Sequence, residues 1–210
     1  MKTKPQIFFI HGGNTHSSDK KYLNFLKNRK ITLEKRKSWS KEYFDKKLGK
    51  KFQIIKPKFP LKENARYRDW KIHFEKHFPL LNDNIVLVGY SLGGIFLAKY
   101  LSENKFPKKI QSTYLIAPPF DNSVKEEELV GGFKLNKDLS KIERNSPKTT
   151  LMFSKKDNCV PVEHAKKYRK KLKNSRIIVY SNIKGHFFIE KFPEIIKMIG
   201  QDFKILKNNN

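Results

Sequence analysis

At 210 residues the chain has the length of one domain and can bury a core without disulfides or metals, and its single cysteine, Cys159, excludes an internal disulfide framework and fits a reducing compartment. The formal charge of +26 comes from 46 lysines and arginines against 20 acids, but only seven of the 46 are arginine, the residue on which phosphate and base recognition leans. A nucleic-acid partner is therefore not the first expectation, and with no apolar run long enough for a signal sequence or a bilayer span, a soluble cytoplasmic protein is.

The first strand is expected over 6–10, QIFFI, and runs straight into His11-Gly12-Gly13-Asn14. Glycine there lets main chain approach a ligand closely. A short helix follows at 20–27, with Tyr22, Leu23, Phe25 and Leu26 on one face. Residues 17–51 hold 13 basic and four acidic side chains, which could form one basic face. A strand at 52–56 leads to a helix at 64–78 carrying Trp70, Phe74 and Phe78 at intervals of four. His73 and His77, also four apart, could present two ligands on one helix face, but no third accompanies them, so packing is expected and no metal.

Next come a strand at 85–89, the turn Gly89-Tyr90-Ser91-Leu92-Gly93 and a helix at 94–104. Strands at 113–117, 150–153 and 177–180 alternate with helices at 162–173 and 192–203, and the tail at 206–210 is expected to fray. Residues 120–147 are the least patterned. They read either as a small lid over the strand ends or as a plain surface excursion, with a weak helix at 138–144. Short strands alternating with helices predict a single α/β domain spanning 1–210, three-layered and doubly wound around a mainly parallel six-stranded sheet.

The turn at Ser91 has the pattern G-x-S-x-G in the strand-then-helix setting that gives the pattern meaning. Such a turn lifts a hydroxyl clear of the sheet and aims the first N–H groups of the helix at the place where an oxyanion would develop. Leu92 and Gly13 are the expected N–H donors, with the Asn14 side chain as an alternative. A serine needs a base, and the base needs an orienting group. His186, after the last strand, is the candidate base, and Asp157, after the fifth, its partner. Each has a plainer reading: Asp157 as a turn or helix-capping residue, His186 as a loop histidine packed on Phe187 and Phe188. Trp70, Phe120 and Phe133 could line a substrate pocket or belong to the core. Cys159 reads as a small packing residue near the site. Neither a G-x-G-x-x-G nor a Walker loop is present, and no cofactor is expected.

Taken together, FFIHGG, LVGYSLGG, DNCVP and KGHFF resemble the α/β-hydrolase superfamily, and in particular the compact serine hydrolases related to the retinoblastoma-binding serine hydrolase and YdeN. The resemblance covers about residues 5–200, apart from a basic, insertion-like segment at 34–51. It implies the order Ser91, Asp157, His186, a sheet order 2-1-3-4-5-6 and esterase-like hydrolysis of a small acyl substrate. Many relatives carry histidine where this chain has Tyr90, a difference that would reshape the substrate pocket. Acyl transfer to another acceptor, or cleavage of a thioester or amide, uses the same three groups. A rival from another class is a noncatalytic protein of this fold that binds a polyanion, nucleic acid included, through its basic face.

Overall fold

The computed structural model describes residues 4–34, 37–122 and 128–207, with side chains as far as residue 203. Six strands form one sheet: β1 (Gln6–Ile10), β2 (Gln53–Ile55), β3 (Ile85–Tyr90), β4 (Ile110–Ile116), β5 (Thr149–Lys156) and β6 (Arg176–Lys184). They are parallel throughout and ordered β2-β1-β3-β4-β5-β6, as the resemblance implied. Every residue of β1 is buried, as is nearly all of β3 and β4. Because neighbouring side chains point to opposite faces, such continuous burial requires cover on both sides of the sheet. The edge strands differ: β2 and β6 expose part of their residues, which is why their sequences are more mixed.

The cover comes from α1 (Asp19–Asn28), α2 (Phe44–Leu48), α3 (Tyr67–Glu75), α4 (Leu92–Glu103), α5 (Ser140–Asn145), α6 (Glu163–Lys171) and α7 (Pro193–Lys207). Among these, α4 packs with α5 and α2 with α7. α3 is shorter than expected because the chain turns into a 3₁₀ segment at Phe78–Leu80, where Pro79 lacks the N–H that would continue an α-helix. Of the tail expected to fray, residues 206–207 are described and belong to α7. No described helix is long and apolar enough to cross a membrane.

Two expectations about the loops need correction. Residues 34–51 are not a detached basic insertion: a π-helical turn at Trp39–Tyr43 runs into α2, and Trp39, Phe44 and Leu48 are buried in the same apolar cluster as the sheet. Each such burial contributes about 1.5–3 kcal/mol, so the segment is anchored from inside while its lysines face solvent. The second correction concerns 120–147. Residues 123–127 lie outside the described part, but beyond them Phe133, Leu139 and Ile142 are fully buried, and Asn145 donates to the carbonyls of Leu101 and Asn104 at the far end of α4. Most of this stretch is therefore packed along α4, and only its beginning lies near the strand ends.

Candidate active site

The order of the sheet places its switch point between β1 and β3, whose outward connections part company there and leave a crevice beyond their carboxyl ends. Register then decides which residues meet. Ile10 pairs with Gly89, so His11-Gly12-Gly13 and Tyr90-Ser91 emerge side by side. Lys156 pairs with Lys184, so Asp157 and His186 leave neighbouring strands at the same level.

Ser91 sits at φ 54°, ψ −120°, a conformation that L residues adopt only under constraint. The constraint is main-chain packing. A side chain at Gly93 would put its Cβ 2.4 Å from the carbonyl oxygen of Ile10, and one at Gly89 would sit 2.4 Å from that of Gly93. Both contacts are impossible, so the glycines of the pattern are explained by two backbones in direct contact. The Ser91 N–H is spent on the carbonyl of Ile116 at 2.8 Å, while the N–H of Leu92, first residue of α4, has no intrahelical partner and opens toward the crevice. The Gly13 N–H likewise has no partner among the described residues. The loop that carries it is pinned by Asn14, which exchanges main-chain bonds with Lys62 and Ala65 at 2.8 Å. His11 donates from Nδ1 to the Gly12 carbonyl and accepts the Phe59 N–H at Nε2. Burial, only partly offset by the bond to Gly12, lowers its pKa, and nearby Lys62 adds to the shift.

Asp157 combines the two readings the sequence offered for it. Its Oδ1 accepts the N–H groups of Cys159 at 2.8 Å and Val160 at 2.9 Å, a turn-forming arrangement, and its Oδ2 accepts Nδ1–H of His186 at 2.8 Å. The carboxylate side chain is fully buried and the imidazole 6 % exposed. His186 Nε2 has no hydrogen-bond partner among the described residues. The residue lines a cavity of about 310 Å³ whose wall also includes Ser91, Gly12, Gly13 and Tyr90. The hydroxyl and the imidazole thus face one space without being hydrogen-bonded to each other.

The remaining candidates separate. Asn14 and Tyr90 border the cavity. Tyr90 does more than shape it, since its hydroxyl donates to the His186 carbonyl and its ring lies 5.2 Å from the imidazole. Trp39 supports the same loop: its main-chain N–H donates to the Ile189 carbonyl at 2.9 Å, and its ring meets Tyr90 and Phe192 edge-on. Trp39 escaped sequence reasoning, although a lone tryptophan amid lysines was a visible sign of a buried anchor. Trp70 is corrected from pocket wall to core: it is fully buried beneath the Gly13 loop and donates to the Pro60 carbonyl. Phe120 is likewise outside the cavity walls around Ser91, packed on Tyr168 with its N–H held by Nδ1 of His164. Phe133 is core.

A second cavity of about 480 Å³ opens on the other side of Ser91. Its walls include Phe25 and Lys21 of α1, together with Leu92, Pro119 and Leu129. The cover here is shared: α1, none of whose own residues is buried, contributes Lys21 and Phe25, and the stretch read as a lid or a surface excursion contributes Glu128 and Leu129. Lys21 pairs with Glu128 at the wall, and that bond, with the hydrogen bond from Ser17, holds the Glu128 carboxyl down at about 2. Asp157, Cys159 and His186 are the one described His/Cys/Asp/Glu group close enough to share a metal ion, and within it Asp157 and His186 are already hydrogen-bonded to each other. Among the described residues, His73 and His77 have no third ligand beside them.

A parallel sheet in this order, with a strained serine between β3 and α4, an acid after β5 and a histidine after β6, defines an α/β-hydrolase fold. The chain belongs to the serine hydrolase family, whose model matches residues 34–196 and so includes the segment that the sequence suggested was an insertion. Among solved structures it is similar to the ydeN gene product of B. subtilis, at 19% identity and a TM-score of 0.74, with 95% of this chain and 99% of that one covered. It also resembles the meta-cleavage product hydrolase of Pseudomonas fluorescens (13% identity, TM-score 0.66, 97% and 92% covered) and an esterase of Pyrococcus furiosus (15%, 0.59, 97% and 83%). At these identities the likeness is one of fold. No curated protein matches the sequence.

Proposed function

We propose that the protein hydrolyses esters of small acyl groups through an acyl-enzyme. Ser91 Oγ attacks the carbonyl carbon while His186 Nε2 takes its proton, and Asp157 holds the imidazole in the tautomer that leaves Nε2 as acceptor. The N–H groups of Leu92 and Gly13 receive the oxyanion. The imidazolium then returns its proton to the departing oxygen, and water, activated by the same nitrogen, releases the acid. Every proton is handled by the chain's own groups, so no cofactor enters the sequence.

The single observation carrying this reading is the buried Asp157 to His186 hydrogen bond, made through Nδ1, with Nε2 left unpaired and His186 lining one cavity with Ser91. Such a nitrogen costs stability unless something is to bond it. The last link, from serine to imidazole, needs only the small closure usual between an empty site and one holding substrate. The esterase among the structural neighbours supports ester over amide cleavage. The test is p-nitrophenyl acetate turnover and fluorophosphonate labelling of Ser91→Ala. The expected result is a loss of at least about 10⁴-fold in kcat and no labelling, with the thermal transition retained. Labelling that persists in this variant refutes the assignment.

A further inference from the structure

The cavity holding His186 continues, through Gly12, Lys62 and Glu63, into a groove of about 730 Å³. Three lysines line this groove, Lys41, Lys58 and Lys62, all exposed, and none has an ion-pair partner among the described residues. The acid in its wall, Glu63, is already paired with Arg29 at 2.8 Å. The groove therefore presents uncompensated positive charge next to Ser91. The cavity on the opposite side differs, since its lysine, Lys21, is matched by Glu128.

Chemistry assigns the two sides. The group that protonates the leaving atom must face it, and His186 borders the cavity joined to the lysine groove but not the one walled by α1. The acyl portion then occupies the space beside Phe25 and Leu129, and the departing portion lies toward Lys62. We propose that the leaving group is anionic, an alcohol or thiol bearing a phosphate that Lys62, Lys58 and Lys41 receive. In the acylation step the bond from Ser91 Oγ to the acyl carbon forms and the bond from that carbon to the leaving oxygen or sulfur breaks. The electron pair stays with the leaving atom, which takes the proton from His186 Nε2, and the phosphate keeps its charge throughout. This inference rests on the hydrolase reading above and adds a substrate class to it. The lowering of the His11 pKa by Lys62 agrees with a cationic field at this end of the crevice.

Two measurements on the full chain test it. The first is calorimetric binding of inorganic tripolyphosphate to the wild type, to a groove variant (Lys41→Gln, Lys58→Gln, Lys62→Gln) and to a variant with the same net charge altered elsewhere (Lys105→Gln, Lys170→Gln, Lys197→Gln). Three weak surface pairs together make about a tenfold change, so the groove variant should lose about tenfold in affinity and the control little. Equal losses in the two variants would show a diffuse charge effect and overturn the proposal, as would the absence of binding. The second is kcat/KM for 4-acetoxyphenyl phosphate against phenyl acetate, which share the scissile bond. The wild type should prefer the phosphate by about tenfold at low salt, with the ratio falling as screening rises and collapsing in the groove variant. A ratio near one in the wild type overturns the leaving-group assignment while leaving the hydrolase reading intact. Turnover of neither ester overturns both, and the tripolyphosphate result then reports on the groove alone.

Discussion

On the serine side of the crevice the restraints are main chain. Gly89 and Gly93 bring β3, the start of α4 and the end of β1 into backbone contact, and Ser91 is held at positive φ by neighbours that have no room to move. On the histidine side they are side chains: Asp157 grips Nδ1, Tyr90 holds the His186 carbonyl, and Trp39 braces the loop through Ile189 and Phe192. β6, which delivers that loop, is a half-exposed edge strand, whereas β3 is buried in the middle of the sheet. The difference teaches that the serine is placed by the fold itself, while the histidine is placed by a few bonds that substitution can remove one at a time. The unclosed joint between Ser91 and His186 lies where the two kinds of support meet.

Substitutions can break this contrast in graded steps. Asp157→Asn keeps the shape of the histidine side but frees the imidazole to take the wrong tautomer, so kcat should fall about 10⁴-fold with the protein still folded, as read by turnover and circular dichroism. Gly93→Ala attacks the serine side, where a methyl group has no path between the Ile10 and His11 carbonyls; it should cost on the order of 3 kcal/mol in denaturant unfolding. If the alanine variant were as stable as the wild type, the backbone contact proposed to hold Ser91 would be wrong. Tyr90→Phe removes one hydrogen bond on the histidine side. A drop of about fivefold in kcat with KM nearly constant is expected, because about 1 kcal/mol of loop positioning is lost and no contact to substrate.

The smallest effect is on stability against pH. Burial lowers the pKa values of His11, His73 and His164 from 6.5, so the fold resists protonating them more than the unfolded chain does. Above about 6.5 both states are neutral and the full stability is present; as the pH falls below it, the unfolded chain takes up protons first and stability declines. The transition temperature should therefore drop between pH 7 and pH 5. His164→Gln, whose amide oxygen can still accept the Phe120 N–H, should show a shallower drop.

The parts of this arrangement that the sequence revealed are those fixed by local rules. Buried parallel strands write themselves as unbroken apolar runs, and the run in β1 has the boundaries its residues predict. The glycines around Ser91 mark a backbone that tolerates no side chain, and Asp157 and His186 follow strands that are recognisable, although these run on to Lys156 and Lys184, past the ends expected at 153 and 180. What escaped depends on contacts between distant residues. Lysine density hid the buried face of 34–51, because composition averages over a helix that is polar outside and apolar within. Trp70 and Phe120 are aromatic residues near the site in sequence, but only packing decides which aromatics turn toward a cavity. The irregular stretch after Phe120 gave no period from which to foresee that Asn145 would run back to the far end of α4.

Trp39 and Trp70 are the only tryptophans in the chain, and they lie against opposite supports of the crevice, one beside Tyr90 and the other under Gly13. Fluorescence from a variant keeping either indole would consequently watch a single wall, and the protein carries its own pair of optical probes for telling motion of the His186 loop from motion of the Gly13 loop.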